Sequence, residues 1–157
     1  MGPADFAWVQ ALRQAHYPPE QNRVPAHITL FHHLPPSALA EIRRRLQRIC
    51  AGRAPAACWA GVLFLGKGVA LRIESPGLMA MREELAEAFA GLLTPQDRAP
   101  PRLHVTIQNK APPEEARTLA RRLEGEVQRR PLVIAGLAAW HYRGGPWELA
   151  MKAAFRG

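Results

Sequence analysis

The chain has 157 residues, of which 48% are hydrophobic and 22% charged, a composition typical of one globular domain and not of a disordered chain. No apolar run of about eighteen residues indicates a membrane span, and the N-terminus has no pattern typical of a secretion signal. Two cysteines exclude a disulfide framework, so the cytoplasm is the expected compartment. The net charge of +8 favours either an anionic partner such as nucleic acid or an arginine-rich solvated surface.

The first half of the chain predicts two helices, one strand between them and a closing hairpin. Apolar residues at helical or alternating spacing define these elements, and Pro18 and Pro19 end the first helix. The hairpin turns at Gly66-Lys67-Gly68. In chain order the elements are a helix over 5–16, a strand over 27–33, a helix over 39–49 and a hairpin over 59–74.

The second half predicts the same elements in the same order. Its hairpin turns at Gly144-Gly145, and an acidic first turn after a proline pair favours the second helix. The segment 94–102 (TPQDRAPPR) is predicted to be a surface loop. In chain order the elements are a helix over 78–93, a strand over 104–110, a helix over 113–127 and a hairpin over 132–155.

An internal repeat explains this parallel order. Residues 27–46 (HITLFHHLPPSALAEIRRRL) and 104–123 (HVTIQNKAPPEEARTLARRL) align without a gap, 77 positions apart, with seven identities. The repeat predicts one α+β domain over 1–157, built from two units at about 4–75 and 78–155. We expect two lobes related by a pseudo-twofold axis, each with a small antiparallel sheet and flanking helices, and an active cleft between them.

The repeated strand carries the residues that have chemical potential. Side chains alternate along a strand, so His27 and Thr29 share one face, and His104 and Thr106 share another. Under the pseudo-twofold axis the two polar faces meet in the cleft. Two imidazoles with pKa values near neutrality are suited to act as one base and one acid in displacement at phosphorus. The two hydroxyls are suited to donate to the phosphate oxygens.

Five further residues are weaker candidates for substrate binding. The aromatic rings can stack a base, although core packing is the more common role of such rings, and the basic side chains can bind phosphates, although a solvated surface explains them equally well. Gln108 is a candidate because alternation puts it on the same face as His104. The five are Phe31, Gln108, Lys110, Tyr142 and Arg143.

Two other functions remain open on the residues alone. His32 and His33 could join His27 and His104 in a metal site, although no acidic residue lies near either motif in the sequence and His32 points away from His27 if the segment is a strand. The same cleft could also bind nucleotides or RNA ends without turnover.

The paired motifs carry a family resemblance. HITL (27–30) and HVTI (104–107) resemble the two His-x-Thr-x motifs of the 2H phosphoesterase superfamily. Within it, the chain looks most like the bacterial 2′-5′ RNA ligase-like, or cyclic phosphodiesterase-like, proteins. The likeness also covers FLGKGVALRI (64–73) and GGPWEL (144–149). Such proteins usually begin with a strand before the first helix, whereas here Asp5 already opens that helix.

The resemblance implies an enzyme without metal or cofactor that opens 2′,3′-cyclic phosphate ends of RNA or nucleotides to 2′-phosphates. Some members also join 2′-5′ RNA ends without ATP. It further implies that His104 is the base, His27 the acid, and Thr29 and Thr106 the phosphate donors. The near equivalence of the two copies leaves the acid and base roles open on the residues themselves. The expected partner is RNA or a cyclic nucleotide, with no membrane, and the expected state is a monomer.

Overall fold

Four of the five helices begin with proline. Proline fits the first turn of a helix because the N–H that it lacks would have no partner within the helix at that position. The computed structural model describes all residues, 1–157. Four helices lie where the repeat predicts them, and the short α4 lies in the segment that was expected to be only a loop. The helices are α1 (Pro3–His16), α2 (Leu39–Cys50), α3 (Pro76–Ala88), α4 (Pro95–Arg98) and α5 (Pro113–Glu126).

Six strands form two antiparallel sheets, which confirms the predicted α+β class. The larger sheet has the order β3-β2-β1-β4, and the smaller sheet contains β5 and β6. Both predicted hairpins form, one from β1 and β2 and one from β5 and β6. The strands are β1 (Ala57–Phe64), β2 (Val69–Glu74), β3 (His104–Gln108), β4 (Arg130–Leu132), β5 (Gly136–His141) and β6 (Glu148–Ala154).

The larger sheet takes strands from both copies of the repeat. Strand β2 of the first copy pairs with β3 of the second, so that Arg72 lies opposite His104. Strand β4, at the start of the predicted last hairpin, instead pairs with β1 through Ala57 and Leu132. The first copy's hairpin therefore supports the His104 strand of the second copy rather than its own His27 segment.

The first motif does not form the predicted strand. Residues 27–33 pair with no other strand, and their backbone is held by side chains instead. The amide N–H of Ala26 donates to Oε1 of Gln10 at 2.8 Å, and the amides of His32 and His33 donate to the carboxylate of Asp97. The alternation of apolar residues predicted a strand here. However, β5 and β6 pair only with each other, and neither strand forms hydrogen-bonded pairs with residues 27–33.

The core draws on both copies. Val105 and Ile107 of β3 and Leu71 of β2 are completely buried, and Leu119 and Leu123 of α5 belong to the same apolar cluster. The hairpin turn also packs tightly, since a side chain at Gly68 would lie 2.1 Å from the carbonyl oxygen of Gln108. None of the helices is both long and apolar enough to cross a membrane.

Candidate active site

The two motif histidines make the same local hydrogen bond. Nδ1 of His27 lies 2.7 Å from the carbonyl oxygen of Pro25, and Nδ1 of His104 lies 2.6 Å from that of Arg102. Because a carbonyl oxygen only accepts, Nδ1 carries the proton in each neutral ring and donates it. In each ring Nε2 is then the nitrogen left to exchange a proton with a bound molecule. The repeat thus extends from the sequence to side-chain geometry.

The surroundings of His27 favour its neutral form. The His27 residue is exposed, yet the protein around the ring displaces enough water to lower its pKa, and this desolvation is the largest effect. The hydrogen bond to Pro25 opposes it, and the positive charges of Arg13 and His104 lower the pKa of His27 further. The two histidines are therefore close enough for the charge of one to affect the other.

A buried arginine connects the two motifs. Arg13 of α1 is only 3% exposed. Its Nη1 donates to the carbonyl oxygen of Thr106 at 2.5 Å, and its Nη2 donates to Oδ1 of Asn22 at 2.9 Å and to the carbonyl oxygen of Val24 at 3.0 Å. One guanidinium thus joins the chain just before His27 to the middle of the His104 strand.

A buried carboxylate holds the other end of the first motif. Asp97 of α4 is 2% exposed and accepts the backbone N–H groups of His32 and His33 at 2.9 Å each. Nδ1 of His32 lies 3.0 Å from the same carboxylate. Burial by itself would raise the pKa of Asp97, but the hydrogen bonds from His32 and His33 outweigh it and lower that pKa.

The motif threonines are half-buried beside the histidines. Thr106 lies opposite Ala70 in the sheet and His104 lies opposite Arg72, so both point to the same face of β3. Thr29 follows His27 in the irregular segment between the bonds made by Arg13 and Asp97. Strand geometry thus positions the second pair, whereas side-chain hydrogen bonds position the first.

Gln108 does not share the face of His104, contrary to the alternation of the sequence. An irregularity in the pairing of β2 with β3 makes Gln108 the partner of Val69, which is completely buried. A bulge of this kind shifts the following side chain to the opposite face. Gln108 is 7% exposed and lines a cavity of about 430 Å³ with His16 of α1 and Leu119 of α5.

The other four candidates lie in different surroundings. Phe31 packs against the core, with the guanidinium of Arg82 4.7 Å from its ring centre. Tyr142 is 62% exposed and stacks on Trp147 at 4.8 Å in the β5–β6 turn.

Lys110 and Arg143 lie at the surface. Lys110 is exposed and has a positive φ of 55°, a backbone conformation that is uncommon outside glycine. Arg143 is exposed and lies 3.8 Å from the carboxylate of Glu148.

The four histidines that are candidate metal ligands, His27, His32, His33 and His104, do not form a cluster. Asp97 binds His32 and the backbone of His33, while His27 and His104 each bond a carbonyl. No three His, Cys, Asp or Glu side chains lie together in a way that could hold a metal ion.

Comparison with known proteins identifies the family. The family model for the 2′-5′ RNA ligase superfamily matches residues 2–146. The chain belongs to this superfamily. The crystal structure of TT0787 of Thermus thermophilus is similar in fold, with a TM-score of 0.56 and 19% sequence identity over 100% of this chain and 94% of that one. No curated protein sequence matched.

Membership in the 2′-5′ RNA ligase superfamily confirms the predicted resemblance to the 2H phosphoesterases. It points to phosphoesterase or RNA ligase-like activity and to RNA or nucleotide substrates. Arg13 and Asp97 were not identified from the sequence, although faint signals exist. Arg13 falls four residues after Val9 on the buried face of α1, and Asp97 ends a Thr-x-x-Asp pattern in which Thr94 caps α4.

Proposed function

We propose that this protein is a metal-independent phosphodiesterase that hydrolyses 2′,3′-cyclic phosphate ends of RNA or nucleotides to 2′-phosphates. The observation that carries the proposal is the matched geometry of His27 and His104, whose Nδ1 atoms donate to carbonyls and leave both Nε2 atoms for proton transfer. Joining of 2′-5′ RNA ends without ATP uses the same chemistry with a 5′-hydroxyl in place of water as the nucleophile, and it is included in the proposal.

In the proposed reaction, Nε2 of His104 takes a proton from water while the water oxygen bonds to phosphorus. The bond from phosphorus to the 3′-oxygen breaks, and Nε2 of His27 gives that oxygen its proton. Thr29 and Thr106 donate hydrogen bonds to the non-bridging oxygens as negative charge develops on them. A bound phosphate favours the charged form of His27 that the free protein disfavours, because an anion near an imidazolium raises its pKa.

The exposed candidates supply binding groups in this proposal. The Tyr142–Trp147 stack offers an aromatic face to a nucleobase, and Lys110 and Arg143 offer positive charge to flanking phosphates. Phe31 and Gln108 are not included, because Phe31 packs on the core and Gln108 lies on the other face of the sheet from His104.

The alternative function is a module that binds nucleotides or RNA ends in the same site without turnover. The exposure of His27 and of Tyr142 is compatible with either function. The two differ in what a histidine substitution does. In a binding module, His104→Gln should change the affinity for the nucleotide by no more than a few-fold, and there is no turnover to lose. In an enzyme, the same substitution should abolish turnover.

The deciding experiment is hydrolysis of a nucleoside 2′,3′-cyclic phosphate in excess EDTA by the wild type, His27→Gln and His104→Gln. We expect a 2′-phosphate product from the wild type and a loss of about 10²- to 10⁴-fold in kcat for each variant. His141→Gln is a matched control, because His141 lies in β5 and belongs to neither motif.

Three results would contradict the proposal. Wild-type turnover in either motif variant would exclude paired acid–base catalysis. Loss of wild-type activity in EDTA, with recovery on adding zinc, would support a metal-dependent hydrolase. Saturable nucleotide binding without any turnover, also on a short RNA with a cyclic phosphate end, would support the binding module.

A further inference from the structure

Arg13 connects parts of the chain that no strand pairing joins. It lies near the end of α1, and its guanidinium also stacks on the ring of Tyr17 at 4.3 Å. Its three hydrogen bonds reach Asn22 and Val24 on one side and Thr106 on the other. No strand pairing links these two segments.

A buried arginine is unfavourable unless its donors are satisfied, because its charge is removed from water. Here Nη1 and Nη2 meet three acceptors in fixed directions, which an ammonium group cannot reproduce, while Nε has no hydrogen-bond partner. One acceptor belongs to the strand of His104 and another lies three residues before His27. The position of the guanidinium therefore sets the distance between the two motifs.

We propose that Arg13 is a positioning residue that keeps the two motifs in register by bonding the chain before His27 to the carbonyl of Thr106. The proposal rests on the proposed acid–base function of His27 and His104 and adds the group that aligns them. Arg13 acts through its hydrogen bonds and its charge, and it is not assigned any contact with the reacting phosphate.

The charge of Arg13 adds a second effect on the same site. The charged or titratable groups whose fields act on His27 are Arg13 of α1 and His104 of β3, and both disfavour a charged His27 ring. Removing the charge of Arg13 should therefore raise the pKa of His27 toward its ordinary value. The limb of the pH profile that reports His27 should move to higher pH.

Two substitutions separate the hydrogen bonds from the charge. Arg13→Met removes both, and Arg13→Lys keeps the charge but loses the fork. We expect kcat to fall about 10²-fold in both variants with KM changed by less than a few-fold, since a displacement of about 1 Å in a reacting group has this effect. Arg121→Met is the matched control, because Arg121 is exposed on α5 and belongs to neither motif.

The titration of His27 gives a readout that does not need turnover. In NMR titrations of the histidine rings, Arg13→Met should raise the pKa of His27, whereas Arg13→Lys should leave it close to the wild-type value. If Arg13→Met does not fold, Arg13→Lys and Asn22→Ala carry the test, since each weakens the same connection. For Asn22→Ala, which removes one of three bonds, we expect a smaller loss in kcat of about 3- to 10-fold.

The results distinguish this proposal from the proposed function. Folded Arg13 variants with wild-type kcat and an unchanged His27 titration would overturn the role of Arg13. If the wild type hydrolyses no cyclic phosphate but Arg13→Met still shifts the His27 titration, the proposed function fails and the coupling of Arg13 to His27 stands. A loss confined to KM would show that Arg13 serves substrate binding, and it would also overturn the proposal.

Discussion

Asp97→Asn should destabilise the protein through the first motif. The wild-type carboxylate, in a residue that is 2% exposed, accepts the N–H groups of His32 and His33 and lies 3.0 Å from Nδ1 of His32, whose side chain is 48% exposed. Asparagine has the same size but replaces one acceptor oxygen with an NH₂ group, which then faces a backbone donor. One charge-assisted hydrogen bond is lost, and one partly buried backbone N–H is left without its partner.

The expected magnitude follows from these contacts. A hydrogen bond to a charged group contributes about 1.5–3 kcal/mol, and an unsatisfied buried donor costs about 1–3 kcal/mol. We expect the free energy of unfolding to fall by about 3 kcal/mol and Tm to fall by about 10 °C for a chain of this size. No strand pairing holds residues 27–33 in place, so loss of an Asp97 hydrogen bond should also disturb the position of His27. We therefore expect kcat for cyclic phosphate hydrolysis to fall by about 10- to 100-fold.

Urea unfolding of the wild type, Asp97→Asn and Glu87→Gln tests this reasoning. Glu87 is an exposed residue of α3, so its substitution removes the same charge with an expected change of less than about 0.5 kcal/mol.

The pH dependence provides a second test. The pKa of Asp97 in the folded protein is lowered, so the contribution of Asp97 to the free energy of unfolding is complete above the unfolded value of about 3.8 and is lost as the pH falls through the folded value. The difference between wild type and Asp97→Asn should therefore be constant near neutral pH and shrink in acid. Unfolding of Asp97→Asn within about 0.5 kcal/mol of the wild type at neutral pH would refute the role of the carboxylate.

Two further predictions concern the pH dependence and the hairpin. The kcat/KM of the wild type should be bell-shaped. The limb that reports His27 should lie below the ordinary histidine value of 6.5, because the pKa of His27 is lowered. A flat profile from about pH 5 to 8 would contradict the paired mechanism. Gly68→Ala should destabilise the fold by about 3 kcal/mol or more, because its Cβ would lie 2.1 Å from the backbone oxygen of Gln108. Gly144→Ala is the matched control in thermal unfolding: it has a φ of +82° but open space around it, so only about 1–2 kcal/mol of backbone strain is expected. Equal losses in the two variants would show that close contact at Gly68 is unimportant.

Local patterns in the sequence predicted much of this fold. The helices over 5–16, 39–49 and 113–127 and both hairpins lie where apolar spacing and turn residues place them, because these features depend on neighbours within a few residues. The repeat and its His-x-Thr motifs also predicted the family, which the family model confirms. The roles of His27, His104, Thr29 and Thr106 remain predictions for the assays above.

The tertiary structure decided how those elements combine and what holds the site. Periodicity does not specify a partner, so the sequence could not show that β3 pairs with the other copy's hairpin, or that residues 27–33 have no ladder at all. The bulge that turns Gln108 away from His104 arises from the pairing of β3 with β2. The alternation of residues within β3 alone carries no information about that pairing. Arg13 and Asp97 act on residues 93 and 65 positions away, respectively, and such contacts exist only once the chain has folded.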